Sequence, residues 1–373
     1  MRVCALVVAA GVLASVSAAS AQLTTINLPG SQYRYGKVNS FSPSGAAFTG
    51  YIVSDGPGGD SAPRAFSFSH SSGMVLDPDN YTVGLSVSDD GLTGVRAIGS
   101  IGAVGVLPSG SKYGPVGTNA GTTLLPFRAI AASSSGQFVV GFDPTLTAGG
   151  GFARRLDEGS VMTMPTLPTA GTPMVTTVSS DGHSMAINFY RTIYEAPTPT
   201  VWTSASGLSV LPTGVNADWS AARKISGDGR TVVGFSTYRD ENAVLQTVGG
   251  YWSIAGGVGS QFIEMAGFSR IDTVSDDGSV MFGYGENGET VWTREGGYTT
   301  LQSYLAAANV QLPGDWSYME ISAMSGDGRS FAGFATLGDG MTDIAFVATI
   351  PTPGAALTMA VGGLLAAMRG RRR

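Results

Sequence analysis

Short apolar runs, each followed by a few turn residues, extend along most of the chain. In one stretch the runs are Ala222–Ile225, Thr231–Ser236, Gly250–Ile254 and Ser260–Met265, with Gly, Ser and Asp concentrated between them. Runs of this length with such borders predict β-strands joined by turns. Because four strands recur in about 46 residues, the pattern predicts one four-stranded sheet per segment and an all-β protein.

A Ser-x-x-Gly tetrapeptide marks the same point in each segment. Its glycine recurs at steps of 46, 45, 46, 47, 49 and 50 residues, a regularity typical of repeat proteins. The glycines are Gly45, Gly91, Gly136, Gly182, Gly229, Gly278 and Gly328. Five of them follow an aspartate, and an Asp-Gly pair between two apolar runs predicts a hairpin with a type I′ turn.

The last repeat lacks a strand, and the start of the chain contains a segment that fits it. The seventh repeat stops at Pro351, one strand short, whereas the segment Thr24–Gly30 resembles the fourth strand of inner repeats such as Leu208–Pro212. Stacking the sheets radially buries both faces of each sheet. The sequence therefore predicts a seven-bladed β-propeller whose N-terminal strand closes the last blade. A linear solenoid is the alternative arrangement.

One segment has a helical pattern. Leu301, Tyr304, Leu305 and Ala308 fall at i, i+3, i+4 and i+7, which is one apolar stripe of a helix. We expect a short helix at Leu301–Ala308 between the sixth and seventh blades, packed against Trp316.

Both termini have the pattern of targeting segments. Residues 1–21 combine Arg2, an apolar stretch and the cleavage motif Ala19-Ser20-Ala21, as in a secretory signal peptide. Residues 351–373 contain a proline motif, an apolar stretch and a basic end, so we expect either a targeting signal that enters the membrane or a plain short membrane anchor. The motif residues are Pro351, Thr352, Pro353 and Gly354, followed at the end by Arg371, Arg372 and Arg373. Residues 22–350 are the expected propeller.

Charge excludes two classes of partner. Without the five arginines of the terminal segments, the body has 16 basic and 27 acidic residues, a formal charge of −11. An acidic surface without a basic stripe repels nucleic acid and anionic lipid. The one cysteine, Cys4, lies in the signal segment, so we expect no disulfide and no thiol chemistry.

The tail resembles a PEP-CTERM sorting signal, although Thr352 stands where that family has a glutamate. The body resembles the HAF-type extracellular repeats, most clearly in the segments Ile321–Gly328 and Leu312–Trp316. These resemblances imply processing by an exosortase-like enzyme and a place at the cell surface, outer envelope or extracellular matrix. They imply no activity.

Candidate chemistry is sparse. Asp90, Asp181, Asp228, Asp277 and Asp327 precede turn glycines, and we interpret them as turn formers, not calcium ligands. His70 and His183 have no partner at metal-ligand spacing, so the sequence indicates no metal, cofactor or catalytic residue. Acids that could meet across a ring are Glu195, Asp240, Glu241, Glu264, Glu286 and Glu289. The segment Tyr190–Glu195 is a second candidate, for sugar binding or as a plain loop.

The function expected from these observations is a binding or structural module, with exopolysaccharide or another surface protein as its partner. A carbohydrate-active propeller enzyme, sialidase-like or lyase-like, is the alternative. Acids and arginines converging at one mouth of the ring would favour the enzyme, whereas a smooth channel lined by Gly and Ser would favour the module.

Overall fold

The structure is a computed structural model. It describes residues 22–26, 33–55, 61–69, 71–102, 105–125, 128–142, 151–155, 161–163, 172–190, 195–338 and 343–350. All statements below concern these residues.

The strands form seven antiparallel sheets in the described ranges. Sheet 1 contains β2 (Tyr33–Phe41), β3 (Ala47–Asp55), β4 (Ser61–Ser69) and β5 (Gly73–Leu76). Sheet 2 contains β6 (Thr82–Val87), β7 (Thr93–Gly102), β8 (Gly105–Pro115) and β9 (Thr123–Leu125). Sheet 3 contains β10 (Arg128–Ala132), β11 (Phe138–Phe142), β12 (Gly151–Arg155) and β13 (Val161–Thr163).

Sheet 4 contains β14 (Thr172–Val178), β15 (Ser184–Tyr190), β16 (Thr198–Thr203) and β17 (Gly207–Val210). Sheet 5 contains β18 (Trp219–Ile225), β19 (Thr231–Arg239), β20 (Leu245–Ala255), β21 (Val258–Gly259) and β22 (Ile263–Glu264). Sheet 6 contains β23 (Arg270–Val274), β24 (Val280–Gly285), β25 (Gly288–Thr293) and β26 (Gly297–Thr300). Sheet 7 contains β27 (Trp316–Met324), β28 (Ser330–Leu337), β29 (Asp343–Thr349) and β1 (Gln22–Ile26).

The sheets have the propeller arrangement. Each packs against the next along the chain, and β27, β28 and β29 of sheet 7 pack against β2 of sheet 1. The expected all-β class is therefore confirmed. Sheet 5 departs from the expected four strands, because the single predicted strand at Ser260–Met265 is replaced by the two short strands β21 and β22, which both pair with β20.

The N-terminal strand is the outer strand of sheet 7. Strand β1 runs antiparallel to β29, with Thr24 opposite Val347 and Ile26 opposite Ala345. The predicted pairing is thus confirmed for the described residues, whereas Leu28 lies outside them. Ile26 is buried in a cluster with side chains of sheet 1 and sheet 7, including Phe48.

The repeated turns differ from the expected type. In each of the seven turns the glycine has a φ between +69° and +76°, whereas the residue before it has no positive φ. A type I′ turn would need positive φ at both, so that prediction is wrong. The backbone N–H of Gly229 donates to the Ser226 carbonyl at 3.0 Å, which is the bond of a type I turn followed by a left-handed glycine. The Ser226 hydroxyl also donates to Asp228 Oδ1 within this turn.

A second glycine explains how the inner strands are shaped. In sheet 6 a Cβ on Gly283 would lie 2.1 Å from the Arg270 carbonyl oxygen, and Gly234 has the same relation to Ala221 in sheet 5. The inner strands β18 and β23 carry a β-bulge directly after this contact. The small residue therefore lets the two strands approach closely where the inner strand bends.

The predicted helix is confirmed. Helix α1 spans Leu301–Ala307, and the Thr300 side chain caps it by accepting a hydrogen bond from the Ser303 N–H. Leu301 and Leu305 are buried in a core cluster, and Trp316 packs against the same cluster. In the described part of the chain no helix is long and apolar enough to cross a membrane, and the tail 351–373 lies outside that part.

Candidate functional site

The inner strands surround a cavity of about 1250 Å³. All seven residues that stand six positions before a turn glycine line this cavity. They are Asn39, Leu85, Ile130, Thr176, Arg223, Asp272 and Ser322. Five residues that stand eight positions before the glycine line it as well, and they are Lys37, Val83, Met174, Ala221 and Glu320. We call these two sets the six-position and the eight-position residues.

The wall of the cavity has two different halves. Sheets 2 to 4 contribute apolar groups such as Leu85, Ile130 and Met174, whereas sheets 1, 5, 6 and 7 contribute Lys37, Arg223, Asp272 and Glu320. The described lining is therefore not the smooth Gly/Ser channel that would favour a module over an enzyme. A two-sided wall suits a ligand with one polar and one apolar side.

Asp272 joins two arginines on the polar wall. Its Oδ1 accepts hydrogen bonds from Arg223 Nε at 3.1 Å and Nη2 at 2.9 Å, and its Oδ2 accepts one from Arg270 Nε at 2.8 Å. The Asp272 side chain is 7% exposed, against 44% for Arg223 and 35% for Arg270. Both carboxylate oxygens are thus occupied, and of the two guanidinium groups that of Arg223 lines the cavity.

Tyrosines and a second acid flank this pair of arginines. The Arg270 guanidinium carbon lies 5.6 Å from the centre of the Tyr284 ring, within cation–π range. Tyr318 donates a hydrogen bond to Glu320 Oε2 at 3.3 Å. Burial raises the pKa of the Tyr190 hydroxyl, and the charge of Arg223 opposes that rise, which places Tyr190 beside the same wall.

Lys37 faces the cavity from sheet 1. Burial lowers the pKa of its ammonium group, and the positive charge of Arg223 lowers it further, whereas Glu320 and Asp272 raise it. Within the described ranges no carboxylate forms a salt bridge with Lys37. Lys37 therefore adds a positive charge to the arginine wall.

Glu289 lies behind the wall in sheet 6 and links it to sheet 7. Its Oε1 accepts a hydrogen bond from the Ile321 N–H at 2.9 Å, and its Oε2 is buried without a hydrogen-bond partner. Burial raises the pKa of Glu289 to about 9, so the group is neutral at pH 7. Asn188 bonds the corresponding N–H of Ala222 between sheets 4 and 5, which identifies this contact as a recurring link between sheets.

The turns form the other end of the cavity. Asp276 accepts a hydrogen bond from the Ser180 hydroxyl at 3.2 Å, and its carboxylate lies against Gly227 and Gly326, where a Cβ would come within 2.3 Å of it. Burial raises the pKa of Asp276. Burial also lowers the pKa of nearby Lys224 to about 8, with Asp276 opposing.

The aspartates of the repeated turns have the structural role that the sequence predicts. Asp228 Oδ1 accepts hydrogen bonds from the Ser226 hydroxyl at 2.6 Å and from the Arg230 N–H at 3.0 Å. The same pair of bonds occurs at the four equivalent residues, which are Asp90, Asp181, Asp277 and Asp327. Each carboxylate is thus held inside its own turn.

The other sequence candidates are dispersed. Glu195 and Tyr190 line the cavity, whereas Arg191 to Tyr194 lie outside the described residues. The half-buried Asp240 and the exposed Glu241, Glu264 and Glu286 are not part of the lining. His183 lies in a turn with its Nδ1 3.0 Å from the Ser204 hydroxyl, and His70 is not described. Within the described ranges no three His, Cys, Asp or Glu residues are grouped as a metal site.

Sequence reasoning missed Arg223, Arg270, Asp272, Glu320 and Lys37. The available signal was their spacing from the repeat glycine, because all five stand six or eight positions before it. Aligning the repeats on that glycine would have shown that these charged residues occupy equivalent positions in their repeats.

Comparison with known proteins supports the architecture alone. No family model matches the chain, and no curated protein matches it in sequence. The fold is similar to oligogalacturonate lyase from Vibrio parahaemolyticus (TM-score 0.52, 10% identity, 89% of this chain and 97% of that one). It is similar to an oligogalacturonate lyase in complex with manganese (TM-score 0.50, 12% identity, 91% and 95%). The β-propeller domain of the Trilobed protease from Pyrococcus furiosus is a further neighbour (TM-score 0.51, 7% identity, 84% and 95%). At these identities the likeness is one of fold.

Proposed function

We propose that the chain is an exported seven-bladed β-propeller that binds a glycan in its central cavity and serves as a binding module of the cell surface or extracellular matrix. The observation that carries the proposal is the cavity lining, in which the four charged six- and eight-position residues lie on one side and Leu85, Ile130 and Met174 lie on the other. Binding sites of soluble proteins combine these features. Seven sheets, each packed against the next, support the blade number.

The state of the acids favours binding over catalysis. Hydrolysis of a glycosidic bond needs two free carboxyl groups across the substrate. Both oxygens of Asp272 are held by arginines, and Glu289 is more than nine-tenths buried with one oxygen on a backbone N–H. Glu320 is thus left without a second free acid on the polar wall, and the exposed acid Glu195 lines the cavity elsewhere.

The test is a binding measurement. Protein purified after expression of the full chain is titrated calorimetrically with neutral and acidic oligosaccharides and with polysaccharide from an exopolysaccharide-producing bacterium. We expect saturable binding, weakened when Trp219 on the cavity wall is replaced by alanine. Absence of binding to every saccharide would exclude the glycan-binding proposal.

A carbohydrate-active enzyme, sialidase-like or lyase-like, is the second candidate. The converging Arg223, Arg270, Asp272 and Glu320 favour it. Mass spectrometry of the saccharides after prolonged incubation separates the two functions, because a binding module leaves the chain length unchanged. Shortened products whose formation requires Glu320 would establish the enzyme.

Export and sorting are a separate part of the proposal, and they rest on the terminal segments. Cleavage after Ala21 leaves Gln22 as the first residue, directly at the start of β1. Intact-mass analysis of protein released by a host with an exosortase-like enzyme should show this N-terminus and loss of the tail after the Pro351–Gly354 motif. A tail retained in full would contradict sorting by processing.

A further inference from the structure

Cations stand side by side at the polar wall of the cavity, in a protein whose body has a formal charge of −11. Lys37 and Arg223 line the cavity, and Arg270 stands beside Arg223 on their shared partner Asp272. Four acids also line the cavity: Asp272, Glu320, Glu195 and Asp276. Because Asp272 is buried beneath the two arginines it binds, its charge is less accessible to a solute than theirs.

Both guanidinium groups keep donors free. A guanidinium has five N–H donors. Arg270 uses Nε for Asp272, and Arg223 uses Nε and one N–H of Nη2. In the described ranges neither side chain donates a hydrogen bond to any other acceptor. The remaining Nη donors of the two half-exposed groups are available to an acceptor in the cavity.

The two arginines are also fixed in direction. Asp272 holds each of them at Nε, and the Tyr284 ring lies against Arg270. A guanidinium oriented before binding loses less entropy when it forms a fork with a carboxylate. The site is thus built for a planar anion.

We propose that Arg223, Arg270 and Lys37 form a carboxylate-binding subsite, through which the cavity binds a saccharide whose rings carry carboxylate groups. This inference rests on the proposed glycan-binding function and specifies its ligand class. The carboxylate contacts the free Nη donors of the two arginines and the Lys37 ammonium group, and the ring extends away from Asp272.

The lining around the cations favours a saccharide over an acidic peptide. The rings of Trp219 and Phe235 line the cavity at an edge-to-face distance of 5.3 Å between centres. An aromatic face packs well on the C–H face of a sugar ring, whose hydroxyl and carboxyl groups project from its edge. Across the cavity, Leu85 and Ile130 offer a second apolar surface.

The test uses a matched pair of ligands. An oligouronate and the same oligosaccharide with its carboxyl groups reduced to alcohols are titrated calorimetrically into protein from the full chain, with polyglutamate as a third ligand. We expect the acidic form to bind at least about 10-fold more tightly than the reduced form, because only the acidic form makes charged hydrogen bonds with the arginines. We also expect the preference to shrink as salt increases.

Variants then locate the subsite. Arg223→Gln and Arg270→Gln should each weaken binding of the acidic form about 10- to 100-fold and leave binding of the reduced form unchanged. Arg230→Gln, an exposed turn residue with the same loss of charge, is the matched control and should bind like wild type. Arg223→Lys keeps the charge without the fork, so an intermediate loss is expected.

Each contrary result has a distinct meaning. Equal binding of the acidic and reduced forms would overturn the carboxylate subsite and leave the glycan-binding function intact. Absence of binding to either form and to neutral saccharides would overturn both proposals. Tighter binding of polyglutamate than of the oligouronate would overturn the saccharide assignment, and an equal loss in Arg230→Gln would overturn the location.

Discussion

Replacing Ile26 by alanine tests whether the N-terminal strand holds the ring of sheets closed. Ile26 is 3% exposed at the end of β1, and its cluster joins Phe48 and Val38 of sheet 1 with Val347 of sheet 7. The side chain thus lies at the junction between the last sheet and the first. Thr25, the residue before it on the same strand, is exposed and provides the matched control.

The expected magnitude follows from burial. Truncating a fully buried isoleucine to alanine removes its transfer free energy and leaves a cavity, which together lower the free energy of unfolding by about 2–5 kcal/mol. With a shift of about 2–4 °C per kcal/mol for a large domain, we expect Ile26→Ala to melt about 4–20 °C lower. Thr25→Ala should change stability by less than about 0.5 kcal/mol.

The assay combines thermal melts followed by circular dichroism with hydrogen exchange of the β29 amides. In Ile26→Ala the β29 amides should exchange faster, because β1 pairs with β29 from Gln22 to Ile26 and its detachment exposes them. A melting temperature within about 1 °C of wild type, with β29 protection unchanged, would refute the reasoning that β1 closes the ring.

Three further predictions concern single sites. Glu289→Gln should flatten the pH dependence of stability. The wild-type pKa of about 9 lies above the unfolded value, so the stability of wild type falls as pH rises from about 4.5 to 9. Urea melts at pH 5 and pH 8.5 measure this fall, and an equal change of stability with pH in both proteins would contradict the prediction. Asp228→Asn should alter the melting temperature little, since an amide oxygen can accept both turn bonds, whereas Asp228→Ala should lower stability by about 0.5–2 kcal/mol; melts that respond to calcium in wild type and not in Asp228→Asn would contradict the structural role. Gly283→Ala should destabilise by more than about 2 kcal/mol, because its Cβ would lie 2.1 Å from a carbonyl oxygen, whereas Gly314→Ala, with no atom within 4 Å, should fold as wild type in the same denaturation experiment.

Local patterns were sufficient for the elements and their order. The spacing of the turn glycines located the hairpins, and the apolar stripe of Leu301, Tyr304 and Leu305 located helix α1. The likeness of Thr24–Gly30 to an outer strand predicted the pairing of β1 with β29. These features depend on residues that are close in sequence or on the alternation of side chains between the two faces of a strand. They can therefore be predicted from the sequence alone.

The turn type was predicted wrongly for a physical reason. The Asp-Gly pair alone indicates a type I′ turn, but the serine two positions before the aspartate binds its carboxylate and orients the turn differently. Side-chain bonds of this kind compete with the backbone preference. The strength of these bonds depends on where the serine hydroxyl lies, and the Asp-Gly pair alone does not determine that position.

The sequence by itself determined the all-β repeats and the turns that the glycines require, whereas the targeting segments at both ends stay predictions. The tertiary structure decided which polar groups meet. Arg223 and Asp272 are 49 residues apart, and the Glu289 carboxyl group of sheet 6 bonds the Ile321 N–H of sheet 7. Each inner strand carries a β-bulge at its six-position residue, and this bulge sets which side chains face the cavity. Contacts between repeats depend on that geometry in three dimensions, and a one-residue change in register would turn a different set of side chains inward.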